Sequence, residues 1–221
     1  MFKFVSASVV KRYKSFCADK LNQLKIALLN NYGIECDVYL IGSGAKNLIT
    51  KNGNEPFDLD YNLLLQTYPD DWNINNSESL KWLKDTIRIE LNKILGDSFF
   101  RDAQDSTSVL TARLFFKTDP KKIEFSFDLA ILAENRQGNY CRLIHEKKFP
   151  ERFYWNEIPN SHNVEEKVAE LKEYGWWEDV REKYLALKNL YLSRQDYTHP
   201  SFIVYVEAVN QIYNEFENYS E

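Results

Sequence analysis

"IGSGAKNLITKNGNEPFDLDYNLLLQ", Ile41 to Gln66, sets a glycine-rich turn ahead of a paired-aspartate strand. Two aspartates, Asp58 and Asp60, stand one residue apart inside a run as apolar as "FDLDYNLLL". Carboxylates are costly to bury unless something positive meets them. Just upstream, "GSG" (Gly42–Gly44) reads as a glycine-rich turn opening a helix, where backbone N–H groups collect anions. The residue types point to metal ions at the pair and phosphates at the turn.

Strand alternation sharpens this reading. Asp58, Asp60 and Asn62 share one face, while Phe57, Leu59, Tyr61 and Leu63 share the other. A later stretch, "KIEFSFDLAIL" (residues 122–132), repeats the pattern with Glu124, Ser126 and Asp128 on one face. If the two strands are neighbours, Asp128 faces the same space as Asp58 and Asp60. Three convergent carboxylates repel one another, and at least one takes up a proton unless a cation is present. Hard oxygen ligands without imidazole or thiolate favour magnesium or manganese over zinc. Glu124 lies four residues from Asp128, roughly 13 Å along a strand, and is left out of the ligand set.

The rest of the chain sets the context. Its 221 residues suit one large domain or two small ones, and 44% apolar with 15% aromatic residues is the composition of a folded protein. A formal charge of -5 and a pI of about 5.4 argue against a broad nucleic-acid-binding face, so a long nucleic acid is not expected as a partner. Cys17, Cys36 and Cys141 form no CxxC pair and read as reduced, packed thiols. No signal-peptide pattern or membrane-length apolar run is seen, so a soluble, cytoplasmic protein without a membrane partner is expected.

Periodicity predicts an amphipathic helix from about Val9 to Asn31, ended by Gly33 in a left-handed cap. Strands follow at "CDVYLIG" and "PFDLDYNLLLQ", with a short helix at "SGAKNLIT" between them. After the loop "TYPDDWNINN", Ser77 is placed to cap a helix reaching about Leu95. Strands "SVLTARLFFK" and "KIEFSFDLAIL" come next; periodicity is then lost from Ala133 to Asn163. Helical patterns start at Val164, Trp176 and Pro200. The expected fold is α+β: a mixed β-sheet with flanking helices over residues 1–135, then a connecting loop and C-terminal helical region over 136–221 that packs on it.

The order of parts resembles the nucleotidyltransferase superfamily of DNA polymerase beta. Its motif of hydrophobic strand, Gly-Ser turn, D-x-D strand and later single carboxylate is matched by "YLIGS", "FDLDY" and "FSFDLAI", over roughly Cys36 to Leu132. The approach "KNGNEPFD" is similar to that of the cyclic GMP-AMP synthase and oligoadenylate synthetase branch. So are "REKYLALKNLYLSR" and "HPSFIVYVEAV", which resemble the "vKxW…SYxLE" helices of those enzymes and of poly(A) and CCA-adding relatives. The resemblance implies that Lys188 and Ser201 contact nucleotide phosphates. The family's tryptophan two residues beyond the lysine is Leu190 here, so no base-stacking role is carried over to that position.

The implied activity is metal-dependent transfer of a nucleoside monophosphate from a nucleoside triphosphate to a hydroxyl acceptor, with release of pyrophosphate. The acceptor is left open among a small molecule, a second nucleotide and a protein. Asp58, Asp60 and Asp128 are the catalytic, metal-binding residues for two magnesium or manganese ions. Gly42 and Ser43 bind the triphosphate. Lys46, one helical turn on, is a phosphate ligand or a solvated helix lysine. Arg113, facing with Thr111 on "LTARLFF", is a phosphate or acceptor ligand or part of a surface pair. The alternative function is a catalytically inactive nucleotide-binding or interaction module of the same fold.

Overall fold

A computed structural model describes residues 1–67, 76–96, 99–159, 162–196 and 198–220. The loop expected over 67–76 falls, from 68 to 75, outside the described residues. In chain order the elements are β1 (Phe2–Phe4), α1 (Ala7–Tyr32), β2 (Glu35–Ile41), α2 (Gly42–Lys46), β3 (Thr50–Asn52), β4 (Phe57–Thr67) and α3 (Ser77–Leu95). Then come β5 (Phe100–Asp105), β6 (Leu110–Phe115), β7 (Ile123–Glu134), β8 (Tyr140–His145), β9 (Phe153–Glu157), α4 (His162–Glu173), α5 (Trp177–Ser193) and α6 (Ser201–Ser220).

These elements form two compact units. The larger comprises Ser6–Ala45 and Glu55–Ile158; the smaller comprises Met1–Val5, Lys46–Asn54 and Pro159–Glu221.

The larger unit is built on a mixed sheet of order β2-β4-β7-β6-β5, with β8 continuing from the far end of β7 and β9 pairing with β8. The β4–β7 pair is parallel and the others are antiparallel. Burial along β4 alternates strictly: Phe57, Leu59, Tyr61, Leu63 and Leu65 are buried, and the residues between them are not. That buried face is closed by α1, whose Tyr13 ring stacks on Phe125 at 4.4 Å and meets Phe57 edge-on at 5.4 Å. Phe125 and Phe127, both 0% exposed, each stabilise the unit by about 1.5 to 3 kcal/mol through burial.

Helix α1 buries Val10, Tyr13, Cys17, Leu21, Leu24 and Leu28, spaced by three or four residues. It stops at Gly33, whose φ of 67° lets its N–H return to Leu29 O at 3.0 Å. Helix α3 spans the stretch expected from the sequence, but its cap is Asn76, which accepts from Ser79 N at 2.8 Å. Ser77 instead donates to Glu151 O and accepts from Phe153 N, tying the helix start to β9.

The stretch from 136 to 158 departs from the sequence reading of a connecting loop. It forms the hairpin β8–β9, entered through a turn in which Asn135 Oδ1 accepts from Gln137 and Asn139 N–H, each at 2.9 Å. The strands are short, and only Cys141, Leu143 and Phe153 are buried, too few to register as an alternating run. Strand β5 is silent in the sequence for the same reason: Ala103 is its one buried residue.

In the smaller unit, α4, α5 and α6 pack around Leu171, Val180, Tyr184, Ala208 and Val209. Strands β1 and β3 pair antiparallel, with Phe4 opposite Thr50. All three cysteines are buried and free. Among the described residues no helix is long and apolar enough to cross a membrane.

Candidate active site

Two strands bring the acidic residues together, and a third orients one of them. Parallel pairing of β4 with β7 sets Asp60 directly opposite Asp128 and Asp58 opposite Ser126. The carboxylates of Asp58, Asp60 and Asp128 each offer an oxygen within 4.8 Å of the others. Asp58 is exposed and the other two are half-buried, on the sheet face opposite α1. From β6, Thr111 pairs with Asp128 in register and donates its hydroxyl to Asp128 Oδ1 at 2.6 Å. One carboxylate oxygen is thus oriented before any ligand arrives.

The electrostatics follow from crowding. Burial, and then the charges of Asp58 and Asp128, push the Asp60 carboxyl from 3.8 up to about 6, against the relieving charge of Arg142. Hard oxygen donors in a cluster that resists its own ionisation fit a hard divalent cation, and neither imidazole nor thiolate belongs to the group.

The glycine-rich turn is fitted to this cluster. Strand β2 ends with Ile41 opposite Asp60, so Gly42 follows beside the carboxylate. Gly42 has φ of 60°, and a Cβ there would stand 2.7 Å from Asp60 Oδ2. Only glycine meets both conditions. Gly44 packs closely for a different reason: a Cβ would stand 2.8 Å from Leu40 Cδ1 and 3.0 Å from Leu59 Cδ2, so those side chains would have to shift. Ser43 is half-buried in the first turn of that helix.

The remaining sequence candidates divide. Arg113 lies opposite Ser126, in the row of Asp58, and its guanidinium donates to Gln104 Oε1. Lys46 belongs to the smaller unit, where its ammonium lies 5.2 Å from the Tyr205 ring centroid. Burial lowers its pKa. Lys188 and Ser201, also in the smaller unit, do meet: Lys188 Nζ donates to Ser201 Oγ and to Thr50 Oγ1, each at 3.2 Å, above the Phe2 ring at 4.3 Å. Thr50 and Arg142 carry no signal in the sequence, Gly44 shows there only as part of the glycine-rich turn, and Thr111 stands beside Arg113 without a visible link to Asp128. Strand register reveals the neighbours of Thr111 and Arg142, and helix packing those of Thr50 and Gly44.

No protein-family model matches the sequence, and no curated protein does. Solved structures match by shape. CdnC of E. coli MS115-1 with ATP superposes with a TM-score of 0.54 at 13% identity, over 93% of this chain and 61% of that one. The Vibrio cholerae cyclic AMP-GMP synthase DncV, in complex with the linear intermediate 5' pppA(3',5')pG, gives 0.54 at 12% identity, over 81% and 47%. The STING-associated CdnE c-di-GMP synthase from Capnocytophaga granulosa gives 0.57 at 15%, over 94% and 61%. The chain therefore has the nucleotidyltransferase fold of these structures, and it spans about half to three-fifths of their length.

Proposed function

We propose that this chain is a metal-dependent nucleotidyltransferase that joins a nucleoside monophosphate, taken from a nucleoside triphosphate, to the hydroxyl of a second nucleotide. The observation that carries this reading is the convergence of Asp58, Asp60 and Asp128 on the sheet face opposite α1, with Gly42 packed against Asp60. Support for the donor and acceptor comes from neighbours bound to ATP or to a linear dinucleotide intermediate.

The acceptor oxygen bonds to the α-phosphorus, and the bond from that phosphorus to the oxygen shared with the β-phosphate breaks. Pyrophosphate leaves with the electron pair, and the hydroxyl proton passes to water. Asp58, Asp60 and Asp128 would hold two magnesium or manganese ions, which when bound favour the ionised hydroxyl and neutralise charge on the departing pyrophosphate. Thr111 fixes the orientation of Asp128. Ser43 and the N–H groups around Gly42 bind phosphate oxygens. Lys188 and Ser201 are carried as further phosphate ligands, and Lys46 and Arg113 as secondary ones, on the strength of the resemblance.

The reading is tested by pyrophosphate release from ATP plus GTP with magnesium, in the parent and in Asp60→Ala. Release by the parent that falls at least a hundredfold in the variant supports it. Equal release from both overturns it.

A further inference from the structure

Away from the carboxylates, the far end of β8 is tied down by a cluster that holds one atom in two conflicting roles. His145 ends β8, and its Nδ1 stands 2.5 Å from Oδ2 of Asp105, the last residue of β5. The same Nδ1 stands 2.9 Å from Lys147 Nζ. A carboxylate oxygen only accepts a hydrogen bond, and an ammonium only donates one. Nδ1 therefore needs a proton to bond Asp105 and a bare lone pair to bond Lys147. It cannot serve both at once.

The other ring nitrogen decides which atom changes. His145 Nε2 lies 3.0 Å from Pro150 O, a carbonyl that can only accept, so Nε2 keeps its hydrogen in either state. Phe153 stacks on the ring at 4.1 Å and holds its plane. The proton gained or lost is thus the one on Nδ1, and imidazole is the side chain that ordinarily changes charge between pH 5 and 8. Asp105 stays ionised across that range. Burial works against its charge, but Lys84, Lys147 and His145 together hold the carboxyl below its ordinary value. Lys84, on α3, lies 2.7 Å from Asp105 Oδ1 and donates to Ser106 O at 2.7 Å, which anchors the carboxylate from the helix side. The nearby charges of the turn beyond β8 are paired among themselves or with α3: Glu146 with Arg152 at 2.9 Å, and Glu151 with Lys81 at 2.7 Å.

We propose that His145 is a proton-operated latch on β8: protonated, it bonds Asp105 directly; neutral, it lets Asp105 go and accepts from Lys147, which then bridges ring and carboxylate. Lys147 Nζ lies 2.9 Å from Asp105 Oδ2, so its second arm is in place. The direct form rests on a charge-assisted bond from the ring, and the bridged form rests wholly on Lys147. Beneath the latch, the His145 amide donates to Thr107 O at 2.7 Å and reports on its hold. Arg142, whose charge eases the Asp60 carboxyl, stands three residues earlier on the same strand. The latch steadies the strand that carries it.

Nitrogen-15 spectra of the histidine ring, together with hydrogen exchange at the residue-145 amide, test this in the intact chain from about pH 5 to about pH 8. The Nε2 signal should remain that of an N–H nitrogen throughout, while Nδ1 alone loses its proton. Lys147→Met removes the bridge at a side chain that is 44% exposed, so the fold should tolerate it. Amide protection in this variant should equal the parent's at the acid end and fall about tenfold below it at the alkaline end, the size of one lost hydrogen bond. His145→Gln, which cannot titrate, assigns the ring signals and should show no such dependence on pH. A neutral ring with its hydrogen on Nδ1 would overturn the latch, as would parent-like protection in Lys147→Met at both ends. An equal fall at both ends would make Lys147 a fixed contact and overturn it too.

Discussion

Thr111 holds Asp128 by a 2.6 Å hydrogen bond from the neighbouring strand, so the third carboxylate of the cluster is oriented by a residue outside the acidic motif. A hydroxyl bound to a charged acceptor is worth about 1.5 to 3 kcal/mol. Thr111→Val should therefore slow turnover about tenfold or more while nucleotide affinity stays near that of the parent. Single-turnover rates and calorimetric binding, measured together, check this. A parent-like rate would show that Asp128 needs no such support.

Gly42 and Gly53 form a matched pair for a second experiment. Both have positive φ, 60° and 55°, but a Cβ at Gly42 meets Asp60 whereas one at Gly53 meets nothing within 4 Å. Gly53→Ala should lose only the backbone term, about 1 to 2 kcal/mol. Gly42→Ala should lose more stability and also displace the Asp60 carboxylate, abolishing activity. Melting curves and turnover for the two variants decide; equal losses would dissociate the turn from the carboxylate.

In the metal-free protein, Asp60 should make stability depend on pH. Its folded carboxyl is raised from 3.8 to about 6, so the fold favours the protonated form. That contribution is fully present below about pH 4 and is lost as pH rises through 6. Asp60→Asn, which cannot ionise, should be more stable than the parent at pH 8 by on the order of 3 kcal/mol, and the gap should close by pH 4. Denaturant midpoints at the two pH values, with a chelator present, measure it. A variant less stable than the parent at pH 8 would refute the crowding argument.

Ser43→Ala and Lys188→Ala should each weaken triphosphate binding more than monophosphate binding, because both are assigned to phosphate oxygens. Titration of ATP and AMP against the parent and each variant reads the difference. Equal losses for both ligands would remove that variant's residue from the phosphate site.

Much of this arrangement was legible in the sequence. The D-x-D alternation in β4, the glycine-serine turn and the strand carrying Asp128 are local patterns, and they were found where expected. Register was not legible, because it is set by which strands become neighbours. Thr111 and Arg142 acquire their meaning only from pairing β6 and β8 with β7. The hairpin β8–β9 and strand β5 leave no alternating pattern in the sequence because few of their residues are buried. The strand pair β1–β3 is too short for any period to show.

Transfer, as opposed to hydrolysis or binding alone, is distinguished by the fate of the α-phosphate. Incubate the chain and Asp58→Asn with magnesium and the four ribonucleoside triphosphates, labelled in separate reactions at the α- or the γ-phosphate, and follow each label. The α-label should enter a product larger than a monophosphate and the γ-label should leave as pyrophosphate, and Asp58→Asn should do neither. An α-label that stays in triphosphate, or that appears only as free monophosphate, would contradict it.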